Sequence, residues 1–191
     1  MSSLPCPSLY NPSTQSHLIP QMSSLHAACI IHDGMPATIL NPIGSENEAK
    51  MTRYWNEKHQ QAIDGTRLIV LQFSDDTEKT LAGIVMLHMP WTETGPFRSE
   101  VEKLCVDPKF RNRGIARRLM RKLEDEAGRR GRGLIMLDTT IGLAAEHVYP
   151  KLGYIPIGIV PKYAISPADG KTLMDELYFY KDLRDPGCIK A

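Results

Sequence analysis

The sequence predicts an α/β fold in which helices and strands form a sandwich around a mixed sheet. Two apolar runs, residues 68–73 and 81–88, are joined by a polar turn and indicate a β-hairpin. From residue 101 a strand pattern changes, through a turn that contains Gly114, to the four-residue spacing of an amphipathic helix. Residues 133–139 form a continuous apolar run, typical of a strand buried on both faces. Strands and helices therefore alternate along the second half of the chain.

The first twenty residues differ in composition from the rest of the chain. They are rich in serine and proline and contain no charged residue. This composition predicts an N-terminal arm over residues 1–20 that is either disordered or extended over the domain. A length of 191 residues fits one domain. We place the domain at residues 21–185 and a C-terminal tail at residues 186–191.

Two helices are predicted before the hairpin. Apolar residues follow helical spacing over 19–30, and Gly34 is a plausible C-terminal stop. Residues 35–40 are expected to form a short strand. The second helix is expected from Ser45, as its N-cap, through about Ile63, because acidic residues fill its first turn.

The later elements follow the same local rules. Residues 100–106 form a strand that Asp107 and Pro108 end, because proline lacks an N–H and restricts the residue before it. After the helix and the apolar strand, residues 143–152 are predicted to form a helix. A further strand begins near residue 153, and residues 177–180 form a last strand.

The charge of the chain is small overall but locally concentrated. Net charge is +1, with 42% hydrophobic and 24% charged residues, so no overall field recruits nucleic acid or membrane. Between Lys109 and Arg132 lie ten basic and three acidic residues, a local patch suited to a phosphorylated ligand. Aromatic residues are not interleaved among these cations, so a nucleic-acid partner is the least favoured class.

The cysteines and the hydropathy pattern exclude other classes. Cys6, Cys29, Cys105 and Cys188 are far apart, which favours neither a disulfide framework nor a metal site. No apolar run reaches membrane-spanning length, and no lysine or arginine precedes the first apolar residues. A cytoplasmic location, without membrane partners, is therefore expected.

The turn after the strand at 100–106 has the chemistry of an anion site. A glycine-containing turn exposes the first N–H groups of the following helix, where the helix dipole also favours negative charge. Lys109, Arg111, Arg113 and Arg117 add positive charge to it. A pyrophosphate would fit this turn, although it matches neither a GxxxxGK[ST] nor a GxGxxG motif.

The motifs of this region resemble those of one enzyme family. Residues 111–116 resemble the [RQ]-x-x-G-x-[GA] signature of the GNAT superfamily of acetyl-CoA-dependent N-acetyltransferases. Three neighbours follow the family order: the strand 104–108, the helix start 117–120, and a segment at 145–154 that resembles A-x-x-x-Y-x-x-x-G-[FY]. The resemblance covers roughly residues 65–183. Within the family, the chain most resembles the tabtoxin-resistance type of acetyltransferase.

This resemblance implies a fold and a cofactor. The sheet would be mixed and mostly antiparallel, with helices on both faces and a splayed central strand pair, 100–106 and 134–139. Acetyl-CoA would lie in the opening, and no metal is implied. The implied cofactor contacts are Leu104, Cys105, Val106, Arg111, Asn112, Arg113, Gly114, Ile115, Ala116, Arg117, Thr139 and Tyr149. Gly142 stands where the family often has a contacting Asn, so that contact is missing or comes from Thr139 or Thr140.

Three residues are candidates for proton transfer. An amine must lose a proton to attack a thioester, so a base is needed. Glu100 stands where several family members carry a catalytic glutamate, and Asp138 is the second candidate; each could instead be a structural acid in a salt bridge. Tyr149 resembles the family's general acid near the cofactor sulfur, with packing as its alternative role. Cys105 could form an acetyl-enzyme, but a buried apolar role is favoured.

Strand alternation and the family resemblance also suggest acceptor contacts. Alternation predicts that Glu100, Glu102, Leu104 and Val106 share one face, with Cys105 on the other. The resemblance makes Tyr54 and Trp55 candidates for the acceptor pocket, although core packing is an alternative for both. Glu102 is a further acceptor candidate, with a salt bridge as its alternative.

The sequence therefore predicts transfer of acetyl from acetyl-CoA to a primary amine of a small molecule. Transfer would be direct, in a ternary complex, and the finer resemblance suggests detoxification of an amino-acid-like toxin or antibiotic. Two alternatives stay open: a protein or peptide N-acetyltransferase, and a non-catalytic acyl-CoA-binding module. The oligomeric state is also open, a homodimer included.

Overall fold

The computed structural model describes residues 4–34 and 45–184. The expected strand at 35–40, the side chain of Ser45 and the tail at 186–191 lie outside these residues. The helices and strands are β1 Ser8–Leu9, α1 Ile19–Asp33, α2 Ser45–Ile63, β2 Arg67–Phe73, β3 Leu81–His88, β4 Arg98–Val106, α3 Ile115–Arg129, β5 Leu134–Thr140, β6 Ile155–Ile165 and β7 Leu173–Asp182. The division into arm, domain and tail stays a prediction.

The seven strands form one sheet in the order β1-β2-β3-β4-β5-β7-β6. All neighbours are antiparallel except β4 and β5, which run parallel. This confirms the predicted mixed, mostly antiparallel sheet.

The central strands β4 and β5 are paired over three residues only. The pairs run from Arg98 with Leu134 to Glu100 with Met136, after which β5 continues its pairing with β7 alone. Beyond Glu100 the two strands therefore separate, as the splayed-pair prediction required.

Helices cover both faces of the sheet. α1 and α2 enclose a core around Trp55, Met22 and Ile69 on one face. α3 buries Leu119 and Leu123 against the other face. The four-residue apolar spacing that predicted α3 is thus explained by burial of one side of the helix.

A β-bulge in β4 breaks the regular alternation of its side chains. Met86 pairs with Glu102 and Ile84 with Cys105, so β4 has one residue more than β3 between these pairs. The extra residue is Lys103, whose φ of 53° lies in the left-handed region.

The bulge corrects the predicted faces of β4. Cys105 packs in the core under α1 and α2. Glu102 points to the same side, because its partner Met86 and the partner of Cys105, Ile84, both belong to that core. Leu104 and Val106 instead pack on the α3 side with Val101. The prediction that Leu104 and Val106 share a face with Glu102, and that Cys105 does not, is wrong because one inserted residue inverts the alternation.

The predicted helix at 143–152 is also wrong in detail. Two short 3₁₀ turns, Ala144–His147 and Pro150–Leu152, replace it. Pro150 lacks the N–H that a continuous helix would need at that position.

Among the described residues, no helix is long and apolar enough to cross a membrane.

The N-terminal segment lies on the sheet. β1 pairs with β2 through Ser8 and Leu71. Arg118 of α3 donates to the carbonyl oxygens of Leu4 at 3.1 Å and Pro5 at 2.6 Å, and to Gln72 Oε1 at 3.2 Å. One guanidinium thus ties this segment to the helix and to β2.

We expect Arg118→Met to loosen the N-terminal segment, because charge-assisted bonds to two carbonyl groups are lost. The free energy of unfolding should fall by about 1–2 kcal/mol. Hydrogen–deuterium exchange over residues 4–10 should accelerate. Arg121→Met, an exposed position on the same helix, is the matched control and should change neither quantity. Equal exchange in both variants would contradict the role of Arg118.

Candidate active site

A cleft of about 430 Å³ opens where β4 and β5 separate. Most of its lining comes from three parts of the chain: β4 with its following turn, the first residues of α3, and the stretch from Asp138 to Tyr149. Asp33 of α1 and Glu176 of β7 complete it. The opening is therefore built from the strand-turn-helix and from the next strand, as the resemblance implied.

The turn between β4 and α3 presents backbone donors to this cleft. Asp107 Oδ1 accepts from the N–H of Lys109 at 2.8 Å and fixes the first bend. Asn112 and Gly114 both have positive φ, 62° and 75°. α3 then begins at Ile115 without a side-chain cap, so its first N–H groups stay available for an anion.

The predicted cofactor contacts lie in three places: the cleft, the core and the surface. The predicted contacts that line the cleft are Leu104, Val106, Arg111, Asn112, Gly114, Ile115, Ala116, Thr139 and Tyr149. Cys105 is not among the lining residues, because the bulge turns it toward the α1 core. Arg113 and Arg117 are exposed beside the turn and form no ion pair with any described residue.

The side chain of Arg111 has a structural partner. It contacts Asp33, at the end of α1, through two bonds of 2.7 and 2.8 Å, and donates to the Val106 carbonyl at 3.1 Å. Burial acts to raise the pKa of Asp33, but these bonds and His32 lower it overall. The guanidinium therefore fixes the turn against α1, which leaves Arg113 and Arg117 as the unpaired arginines beside the turn in the described part of the chain.

The two candidate bases occupy different positions. Asp138 lines the cleft, two residues beyond the last pairing of β5 with β4. Glu100 lies within the paired region, opposite Met136 and His88, and does not line the cleft. Burial raises the pKa of both carboxyl groups, and the charges of Glu102 and Asp138 raise that of Glu100 further. Asp138 is thus the better placed of the two.

Tyr149 also lines the cleft, as predicted. Its ring is 5% exposed and contacts Tyr154 and Phe179, with centroids 5.8 and 5.7 Å away. Burial raises the pKa of Tyr149, so its hydroxyl carries a proton at neutral pH. The ring both packs against the core and presents a proton donor at the cleft.

Glu102 forms the salt bridge that was its alternative role, whereas its contact with the acceptor stays a prediction. Arg67 is 3% exposed and donates hydrogen bonds to the two carboxylate oxygens of Glu102 at 2.9 and 3.2 Å. Burial acts to raise the pKa of Glu102, but the Arg67 guanidinium lowers it overall. Glu102 also lines the cleft. The Arg67 guanidinium therefore offsets much of the negative charge of Glu102 even without a bound acceptor.

Tyr54 and Trp55 do not line the cleft, contrary to the acceptor-pocket prediction. Both are buried under α1, where their rings pack edge-on at 5.6 Å and surround His26. Burial lowers the pKa of His26 to about 3, so this cluster is uncharged. The apolar pattern of α2 placed these rings in the core instead of at the site.

One group in the described part of the chain has the geometry to hold a metal ion. His88, Glu100 and Glu102 offer ligand atoms within 4.8 Å of one another. The Arg67 guanidinium already bonds to Glu102 and would repel a cation at this position. The arrangement is better explained as an Arg67–Glu102 ion pair beside His88 and Glu100 than as a metal centre.

Lys103 and Glu176 line the cleft although sequence reasoning did not single them out, and Thr140, named as a possible cofactor contact, lines it as well. Thr140 Oγ1 donates to Glu176 Oε1 at 2.7 Å between paired strands. Glu176 is distant in sequence and reaches the cleft only because β7 pairs with β5. The sequence offered no distinguishing signal for Glu176, because β7 also contains Asp175, Lys181 and Asp182.

A family model described as the acetyltransferase (GNAT) family matches residues 37–154. N-alpha-acetyltransferase RimI of Mycobacterium tuberculosis is 40% identical over 82 residues, 42% of this chain and 50% of that protein. N-acetylaspartate synthetase of Xenopus tropicalis is 33% identical over 81 residues, 42% of this chain and 30% of that protein. The chain thus spans half or less of the length of these curated relatives.

Solved structures share the fold over almost the whole chain. YncA from Salmonella typhimurium, solved with its cofactor acetyl-CoA, has a TM-score of 0.71 at 14% identity and covers 96% of both chains. A ribosomal-protein-alanine N-acetyltransferase from Brucella melitensis has a TM-score of 0.70 at 18% identity, covering 94% of this chain and 100% of that one. At such identities the likeness establishes the fold.

We expect Gly114→Ala to destabilise the turn, because alanine resists the left-handed backbone that Gly114 adopts. The free energy of unfolding in urea should fall by about 1–2 kcal/mol. Gly128→Ala, within α3 and with no atom near the added Cβ, is the control and should raise it by about 0.5–1 kcal/mol. Equal stability of Gly114→Ala and the wild type would show that this turn has another conformation.

Proposed function

This chain belongs to the acetyltransferase (GNAT) family, and we propose that it transfers acetyl from acetyl-CoA to the primary amine of a small molecule. The observation that carries this proposal is the cleft between β4 and β5. An anion-binding turn lies at one part of it, and Asp138 and Tyr149 line another. Phosphate recognition and two proton-transfer groups in one opening are what acetyl transfer to an amine requires.

The residues of the cleft fit coenzyme A. The uncapped start of α3, with Arg113 and Arg117 beside it, suits a pyrophosphate. Beyond Glu100 and Met136, β4 and β5 no longer pair with each other, so their facing edges can bond an extended amide chain. When bound there, acetyl-CoA supplies the acetyl group as an activated thioester.

Asp138 and Tyr149 would perform the two proton transfers. The Asp138 carboxylate accepts a proton from the acceptor's ammonium group, which frees the nitrogen lone pair for attack. The raised pKa of Asp138 makes it a stronger base than an exposed aspartate. The Tyr149 hydroxyl donates its proton to the departing sulfur, and the raised pKa keeps that proton available.

The position of Cys105 supports direct transfer. This thiol is 1% exposed and lies in the core under α1 and α2. The hydrogen bond with the neighbouring Cys29 thiol raises its pKa, and burial raises it further, which disfavours the nucleophilic thiolate. A ternary complex of enzyme, acetyl-CoA and amine needs no acetyl-enzyme.

A second acceptor class is a peptide N-terminus, which the 40% identity to RimI favours. The name of the similar N-acetylaspartate synthetase, in contrast, points to an amino acid acceptor in that protein. Detoxification of an amino-acid-like compound agrees with the small-molecule class. A screen of amines, amino-acid-like antibiotics and short peptides for thiol release from acetyl-CoA separates these candidates. Thiol release with none of them would favour the non-catalytic binding module.

Asp138→Asn should remove the acidic limb of the pH–rate profile. The base is active only when deprotonated, so the wild-type rate falls as pH decreases through the raised pKa of Asp138. We expect kcat to fall by about 10²–10⁴-fold in the variant, measured by thiol release across pH. Glu100→Gln should keep the limb with only a small shift, because Glu100 lies outside the cleft. A limb that persists in Asp138→Asn would place the base elsewhere.

Tyr149→Phe should lower turnover without weakening the cofactor complex, because the ring remains and only the hydroxyl is lost. We expect kcat to fall by about 10²-fold or more, while the Kd for coenzyme A from isothermal titration stays within about twofold. Tyr154→Phe removes a hydroxyl from the neighbouring ring, which does not line the cleft, and is the matched control. Equal losses of turnover and affinity would mean that Tyr149 only packs.

A further inference from the structure

Lys103 is a cation inside the cleft that has no direct partner. It lines the cleft and makes no ion pair or hydrogen bond with any residue in 4–34 or 45–184. Four carboxyl groups surround it: Glu100, Glu102, Asp138 and Glu176. Burial raises the pKa of Glu100, Asp138 and Glu176 overall, and the charge of Lys103 acts against that rise. A lysine close to four carboxylates that pairs with none of them is positioned for a different anion.

Glu176 is the complementary observation on the other side of the cleft. It is 3% exposed and lines the same cavity. Its Oε1 accepts from Thr140, but its Oε2 has no hydrogen-bond partner among the described residues. An unsatisfied, buried carboxylate oxygen is costly in free energy unless a donor completes it. That oxygen is itself shielded from solvent, so an ammonium group in the cleft becomes such a donor once the Glu176 side chain turns toward it.

The part of the cleft that would hold the acceptor therefore contains charged groups of both signs. Arg67 already offsets Glu102 through two hydrogen bonds. The carboxylates of Asp138 and Glu176 remain to bind an ammonium group, and the ammonium group of Lys103 remains to bind an anion. A ligand that carries one group of each charge satisfies both.

We propose that the acceptor is an amino-acid zwitterion, whose carboxylate binds Lys103 and whose ammonium group is held by Asp138 and Glu176. The proposal rests on the proposed function, since it names the acceptor of that same cleft. A peptide N-terminus brings no carboxylate close to its amine, so it would leave Lys103 unpaired. A diamine would bring a second cation toward Lys103 and be repelled.

The test varies the acceptor carboxylate and the lysine independently. The twenty protein amino acids are assayed by thiol release from acetyl-CoA, each beside its own amide, which keeps the amine and removes the negative charge. In the wild type, kcat/KM for the best amino acid should exceed that for its amide by about 10–100-fold.

Lys103→Met should erase this preference. The substitution keeps the Cβ and nearly the length of the side chain, so the left-handed backbone of the bulge is unchanged. Loss of the lysine charge also raises the pKa of Asp138, so both enzymes are compared on the alkaline plateau, where Asp138 is deprotonated. There we expect kcat/KM for the amino acid to fall by about 10–100-fold and that for the amide to stay within about twofold. Lys79→Met, in the exposed turn of the β2–β3 hairpin, is the control and should change neither. Glu176→Gln should raise KM for both acceptors, because the ammonium group is common to them.

Equal losses for amino acid and amide in Lys103→Met would overturn the zwitterion, since the lysine would then serve the fold or the cofactor. A wild-type preference for cadaverine or putrescine over every amino acid would also overturn it. Titration of the best-binding amino acid into the enzyme–coenzyme A complex separates this inference from the proposed function. If the amino acid binds only to the enzyme with Lys103 but is not acetylated, acetyl transfer is refuted and the zwitterion is not. If it binds equally well to Lys103→Met, the zwitterion is refuted.

Discussion

The limited pairing of β4 with β5 is the constraint on which the site depends. Three residue pairs hold the strands together, and beyond Glu100 and Met136 each strand has a free edge. Antiparallel neighbours, β3 on one side and β7 on the other, keep both strands ordered where they separate. The opening is therefore rigid at its walls, and a ligand can use backbone groups that would otherwise be left without partners.

Burial gives the groups at this opening their chemistry. The same loss of water that raises the pKa of Asp138, and so makes it a base, raises the pKa of Tyr149 and keeps it protonated. Glu102 escapes this effect because Arg67 lies directly against it. Two carboxyl groups on adjacent strands are thus given different roles by their immediate partners, one available for proton transfer and the other held in an ion pair.

The sequence predicted the parts of the molecule that depend on local pattern. Apolar periodicity located α1 and α3, and the N-cap with its acidic first turn located α2. The turn that ends at Gly114 was identified from glycine and basic residues that are close together in the chain. The bulge was not predictable, because lysine has no preference for positive φ and the inserted residue left the apolar pattern of β4 readable in either register. Tyr54 and Trp55 were misplaced because an aromatic residue in a helix looks the same whether it faces a core or a pocket. Glu176 was missed because only the pairing of β7 with β5 brings it to the cleft.

The backbone conformation of Lys103 indicates that its side chain has a use beyond folding. A positive φ is unfavourable for any residue with a Cβ, and glycine would adopt φ of 53° without that cost. A bulge that served only to bend β4 would be more stable with glycine at its extra position. Lysine at this position costs backbone strain, yet it places a charge among Glu100, Asp138 and Glu176. This strain is difficult to explain by stability, but it agrees with a cation held ready for an anionic group of the acceptor.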